Sequence, residues 1–313
     1  MRELHLHLDG SLRPRSLWEM AKAQGIDLGI DNLDELEKKM VVPGDCQDLT
    51  QYLEKFALPL LVLQEKGSLE RGVYELAQDL KDLGMDYGEV RFAPSLHTQK
   101  GLSQEEALKD ALAGVKRAQE DLDFSVVLIL CMMRGEGNET ANLETLRLAE
   151  AYGGQGVGAL DLAGAEGLYP TKDFADLLAL AKKKGLRMTL HAGEAAGPES
   201  IWEALKYGPE RIGHGVAAAQ DPALMEKLKE KGILLEVCLS SNLQTRVVDD
   251  LADHPIRTLY DAGVRVCLNS DNMTVSNTNL VRERQLAKEA LAFTDEDLER
   301  MDDYAREASF GKR

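Results

Sequence analysis

The chain has 313 residues, 44% hydrophobic and 29% charged, a composition able to bury a large globular core. Its 37 basic and 54 acidic residues give a net charge of −17. That excludes a nucleic-acid-binding surface as its main business and disfavours an anionic membrane, while leaving a small neutral substrate open. The opening MRELHLHLDG carries charges and histidines where a secretory signal needs an apolar run, and no apolar stretch is long enough to span a bilayer. Cys46, Cys131, Cys238 and Cys267 show no CxxC spacing, so the expectation is a cytoplasmic chain with reduced, buried cysteines.

In chain order, short apolar or β-branched runs at 3–8, 87–93, 125–132, 157–162, 187–190, 211–213, 233–237 and 264–268 predict eight strands. Amphipathic segments lie between them. Residues 103–121 place Ala107, Leu108, Ala111, Leu112 and Val115 on one helical face, and 174–184 do the same with Leu177, Leu178 and Ala181. Helix starts are signalled by Ser103 with Glu106, by Thr171 and Asp173, and by Thr294 with Asp297. A length of 313 fits two domains of ~150 residues or one barrel of ~250 residues with insertions. No linker-like stretch divides the chain, and eight alternating units close a (β/α)₈ TIM-type barrel, so a single α/β domain over 1–313 is expected. Residues 14–85 hold several helical patterns before the second strand and predict a helical cap beside the site. A doubly wound open sheet is the alternative, weakened because no GxGxxG or GxxxxGK[ST] follows a strand.

The polar residues out of place in apolar strands gather at strand ends. His5, His7 and Asp9 alternate on the first strand and its exit, which points them to one face. His191 and Glu194 close the fifth run, His214 the sixth, and Asp271 and Asn272 follow the eighth. Singly, each has a bland reading: His214 as a turn residue between glycines, Asp271 as the N-cap of a helix near Leu280. Together, at the C-terminal rim of a barrel, the set points to a metal site: three imidazoles and one carboxylate suit one Zn²⁺ per chain, with a position left for water. Glu194 is placed to move a proton, and His214 to orient a metal-activated water or take its proton. The chemistry is metal-assisted hydrolysis.

The blocks HLHLDGS (5–11), DLAGAE (161–166), HAGEAAGPESIW (191–202), RIGHGV (211–216), EVCLSSN (236–242) and LNSDN (268–272) resemble the adenosine deaminases, within the adenosine/AMP deaminase family of the metal-dependent amidohydrolase superfamily. The resemblance implies zinc ligation by His5, His7, His191 and Asp271, proton donation to purine N1 by Glu194, and assistance to the attacking water by His214. It further implies that His7, Asp9, the Gly164 backbone and Asn272 bind substrate, Asp9 at the ribose 5′-hydroxyl. Leu49, Tyr52, Leu53 and Phe56 resemble an apolar lid, though their helical spacing fits plain core packing equally well. Two departures stand out: Asn272 replaces a second Asp, although its amide N–H can still donate to N7, and Ala165 replaces an acidic residue. The lead-in before His5 and the tail after Phe310 are short, which puts closure of the barrel bottom at risk. The implied reaction is hydrolysis of adenosine or 2′-deoxyadenosine to inosine or deoxyinosine and ammonia. A sister deaminase acting on adenine, a modified adenosine or a nucleotide, and a silent nucleoside binder, are the alternatives.

Overall fold

The structure, a computed structural model, describes residues 1–311. Eight strands form: β1 (Arg2–His7), β2 (Tyr87–Phe92), β3 (Ser125–Met133), β4 (Val157–Ala163), β5 (Thr189–Ala192), β6 (Arg211–His214), β7 (Leu234–Val237) and β8 (Arg265–Leu268). Each boundary lies within two residues of the sequence expectation. The helices are α1 (Pro14–Gln24), α2 (Leu33–Met40), α3 (Leu49–Leu53), α4 (Ala57–Val62), α5 (Ser68–Asp82), α6 (Gln104–Leu122) and α7 (Glu139–Tyr152). They continue with α8 (Ala175–Lys183), α9 (Pro198–Leu205), α10 (Pro222–Lys231), α11 (Leu239–Gln244), α12 (Ile256–Asp261), α13 (Leu280–Leu291) and α14 (Asp295–Ala308). None of the described helices is long and apolar enough to cross a membrane.

All pairing is parallel, in two four-stranded sheets of order β1-β2-β3-β4 and β5-β6-β7-β8. Parallel strands are covered on both faces, which is why these read as nearly continuous apolar runs. Single bridges, Leu160 to Met188 and Leu6 to Asp271, join the sheets into the barrel. At the second seam the His7 N–H donates to the Asp271 carbonyl at 2.8 Å and the Asp271 N–H to the His5 carbonyl at 2.9 Å. Barrel closure therefore fixes the relative positions of three predicted ligands through the backbone.

Ser103–Glu106 and Thr294–Asp297 form the predicted capping boxes of α6 and α14. Thr171 does not cap a helix. Its hydroxyl instead accepts from Arg134 Nη2 at 3.0 Å and meets Ser200 Oγ at 3.0 Å. Nor does Asp271 cap α13, whose first turn is held by the Asn279 side chain. The long first crossover is the predicted cap: α5 returns the chain to β2 against α6, while the segment through α2 to α4 reaches over the C-terminal mouth. Gly114 sets the α5–α6 approach, since a Cβ there would lie 2.5 Å from the Glu70 carbonyl oxygen. Three contacts tie the cap down: Val42 N–H to Val275 O at 2.9 Å, Tyr52 OH with Ser276 Oγ at 2.6 Å, and Arg246 Nε to Cys46 O at 2.6 Å.

The barrel bottom is filled, contrary to the expectation raised by the short ends. Leu4, Tyr87, Leu234, Cys267 and Ala305 form one buried cluster, and Ile129, Ala159 and Phe310 another. The Arg211 guanidinium stacks 3.7 Å from the Phe310 ring centroid. Above this plug the interior is ionic: Arg91 bonds Asp161 and Glu236 at 2.8 Å each, and Arg211 bonds Glu236 and Glu89, all fully buried. Removing one partner from such a network strands a buried charge, typically costing ~3–5 kcal/mol.

Candidate active site

The ionic layer carries the polar cluster above it. Glu236 Oε2 lies 2.8 Å from His5 Nδ1, so that ring presents Nε2 upward. Asp161 Oδ1 accepts the His191 backbone N–H at 3.2 Å, and its Oδ2 sits 2.8 Å from His191 Nδ1, leaving His191 Nε2 to face the cavity. Carboxylates behind the imidazoles are the usual way to orient metal-ligating histidines.

Four donor atoms converge in front of this support. His7 Nε2 lies 3.3 Å from His191 Nε2 and 3.5 Å from Asp271 Oδ1, and His5 Nε2 is 3.5 Å from the same oxygen. His5 Nε2 is buried without a hydrogen-bond partner. Three imidazole nitrogens and a carboxylate brought together, one nitrogen orphaned, is donor chemistry that could hold a metal ion. The donor atoms of His5, Cys238 and Asp271 also lie within 4.8 Å of one another. Burial pushes the Cys238 thiol well above its ordinary range.

Glu194 and His214 flank the cluster. Glu194 Oε2 is 3.5 Å from His214 Nε2, and Thr245 Oγ1 is 3.1 Å from Glu194 Oε1. Burial first, then the nearby Asp271 and Glu166 carboxylates, lifts the Glu194 carboxyl to about 8, so it holds its proton at neutral pH. The loop bearing Glu194 is pinned by Glu166, whose carboxylate accepts the backbone N–H groups of Gly193, Glu194 and Ala195 at 2.7, 3.0 and 2.9 Å. His214 and Asp271 both hold left-handed backbone, φ 59° each, a conformation costing of order 1–3 kcal/mol for a non-glycine residue and concentrated at functional sites.

The cavity over the cluster is lined by every candidate metal, catalytic, substrate-binding and lid residue except His5. His7, Asp9, Gly164, His191, Glu194, His214, Asp271 and Asn272 are there, with Leu49, Tyr52, Leu53 and Phe56 from the cap. The lid residues do both things their spacing allowed: Tyr52 packs with Val42, Cys46 and Val275, and the same stretch closes the cavity. Gly10 makes room for Asn272, because a Cβ there would lie 1.8 Å from the Asn272 Oδ1. Asp9 is buried, which raises its carboxyl to about 6, still ionised at pH 7. Ala165 lines a neighbouring open groove that shares Leu49 and Glu194 with the cavity.

Sequence reasoning missed the supports. Asp161, Glu166 and Glu236 lie inside the quoted motif blocks, and that was their one signal; Arg91 gave none. Leu60, Phe92, Leu96, Cys131 and Met133 also line the cavity and read as ordinary core.

The family description for adenosine deaminase matches residues 1–313. The chain is 47% identical over 291 residues to an adenosine deaminase of Haemophilus ducreyi, covering 92% of this chain and 85% of that protein. Among solved structures it is similar to an adenine deaminase from Arthrobacter aurescens, with a TM-score of 0.91 at 28% identity, covering 99% of this chain and 94% of that one. An N6-methyl-AMP deaminase from Arabidopsis thaliana gives a TM-score of 0.84, also at 28% identity, covering 99% and 91%.

Proposed function

This chain belongs to the adenosine deaminase family and hydrolyses adenosine to inosine and ammonia; from that premise we propose the part each site residue plays. The observation that carries the proposal is the convergence of His5, His7, His191 and Asp271, with the buried Glu194 carboxyl close by. The orphaned His5 Nε2 and the facing His7 and His191 nitrogens fit a divalent ion, and the three-nitrogen, one-oxygen set favours Zn²⁺. When bound, zinc lowers the pKa of water to ~7 and supplies a nucleophile at neutral pH.

The rest of the work falls to the chain. Attack at C6 places negative charge on the purine unless N1 is protonated, and Glu194 holds the proton to give. His214, beside Glu194, orients the attacking water. The Gly164 backbone meets N3, and the Asn272 amide donates to N7. Asp9 accepts the ribose 5′-hydroxyl, while Leu49, Tyr52, Leu53 and Phe56 cover the sugar and exclude water. Among the described residues no Lys or Arg lines the cavity, and Asp9 repels a 5′-phosphate, which favours a nucleoside over the nucleotide that the Arabidopsis enzyme is named for. We read residues 1–313 as one catalytic domain, placed in the cytoplasm, where four buried and unbridged cysteines accord with a reducing milieu.

Asp9 tests the substrate assignment. Asp9→Ala removes a charged hydrogen-bond acceptor worth roughly 1.5–3 kcal/mol, so kcat/KM for adenosine falls about 10- to 150-fold. For 5′-deoxyadenosine, which lacks the partner hydroxyl, it changes little. Equal losses on both substrates would assign Asp9 another role.

A further inference from the structure

His214 turns Nε2 toward the cavity and Nδ1 away from it, and which nitrogen carries the proton decides what it does there. Behind it runs a line of buried polar groups. Asn242 Nδ2 is 3.1 Å from His214 Nδ1, and Asn242 Oδ1 is 3.2 Å from His254 Nε2. The backbone N–H of Ile256, at the start of α12, donates to His254 Nδ1 at 3.2 Å. His214, Asn242 and His254 are 1%, 0% and 3% exposed.

The direction of every bond follows from one end. A backbone N–H only donates, so His254 Nδ1 is an acceptor and the ring's proton sits on Nε2. Burial, which pushes His254 down to about 4, agrees with a neutral ring. That Nε2–H is given to Asn242 Oδ1, which settles the two ends of the amide. The Asn242 N–H is then given to His214 Nδ1, and the proton of His214 is left on Nε2. An N–H there has an acceptor in Asp271 Oδ2 at 4.0 Å, and Glu194 Oε2, an oxygen of the protonated carboxyl, lies at 3.5 Å.

We propose that His254 and Asn242 are positioning residues that lock His214 in the tautomer protonated on Nε2, so that His214 meets the attacking water as a hydrogen-bond donor. The catalytic half of this statement rests on the place given to His214 above; the tautomer does not. Asn242→Asp keeps the shape but offers only acceptor oxygens, so the His214 proton moves to Nδ1. His254→Leu leaves Asn242 Oδ1 buried without a donor and frees the amide to turn.

The test is ¹⁵N NMR of the histidine rings in zinc-loaded protein, read beside steady-state kinetics. In the parent, His214 shows an unprotonated Nδ1 and a protonated Nε2. In Asn242→Asp the pattern inverts and kcat falls ~10²–10⁴-fold, with metal content and melting temperature retained. His254→Leu loses ~10–100-fold, and His254→Gln, which keeps an N–H donor, recovers most of it. A protonated Nδ1 in the parent overturns the proposal, as does an Asn242→Asp variant within a few-fold of parental kcat. Should Asn242→Asp fail to fold, the parent spectrum and the His254 pair decide. The predicted tautomer in a protein unable to deaminate adenosine would count against the function assigned to the site and leave the relay standing.

Discussion

Glu194→Gln lowers kcat for adenosine by at least about a hundredfold, within the ~10²–10⁴-fold range of a lost general acid. Glutamine keeps the shape of the side chain and can still bond Thr245 and approach N1, but it has no proton to transfer. Binding of a ground-state purine riboside and metal content therefore stay at parental levels, and the loss appears in kcat rather than KM. The pH profile carries a second signature. With the Glu194 carboxyl raised to about 8, kcat/KM falls as pH rises through that value and the donor ionises; the Gln variant lacks this alkaline limb. Stability moves in the same sense. A carboxyl raised from 4.5 to about 8 in the folded state binds its proton more tightly there than in the unfolded chain. Its stabilising contribution is complete below about 4.5 and is lost as pH rises through about 8. The Gln variant has no buried carboxylate to accommodate and melts no lower than the parent at alkaline pH. A kcat within a few-fold of the parent would remove Glu194 as the proton donor and move the search to His214 or a water chain.

Metal removal produces the other large effect. Dialysis against a strong chelator abolishes turnover, and adding back one equivalent of zinc per chain restores it. The fold gives the loss a second readout. His5, His7 and Asp271 meet where β8 closes against β1, so a metal ion held by these residues would also brace the barrel seam. The metal-free protein therefore melts lower, by the linkage expected of any ligand that binds only the folded state, ~4 kcal/mol at a thousandfold excess over Kd. Full activity in a sample verified as metal-free would contradict the ligand assignment.

The fold was legible because parallel strands buried on both faces leave continuous apolar runs. The site was legible because histidines and aspartates stand out at the ends of such runs. Asp271 shows where local reading stops. An Asx residue upstream of α13 has the features of an N-cap, yet Asn279 takes that place because it alone directly precedes Leu280. Thr171 likewise carried a helix-start signal and was drawn off by Arg134 and Ser200. The supporting shell was hidden for a different reason. His5 and Glu236 are 231 residues apart, and Arg91 and Glu236 are 145 apart. No local pattern records such pairings; they exist once the barrel closes. His254 lies outside every motif block, and Asn242 is only the last residue of one. Only their burial together gives them a direction.

The most direct measurement is ultraviolet monitoring of one metal-quantified preparation against adenosine, adenine, AMP and N6-methyl-AMP. The ribose contacts proposed for Asp9 and the cap, with no Lys or Arg among the described lining residues to meet a phosphate, predict a kcat/KM for adenosine at least about a hundredfold above each of the others. Comparable or faster turnover of adenine or of either nucleotide, or no turnover of adenosine by zinc-loaded protein, would contradict it.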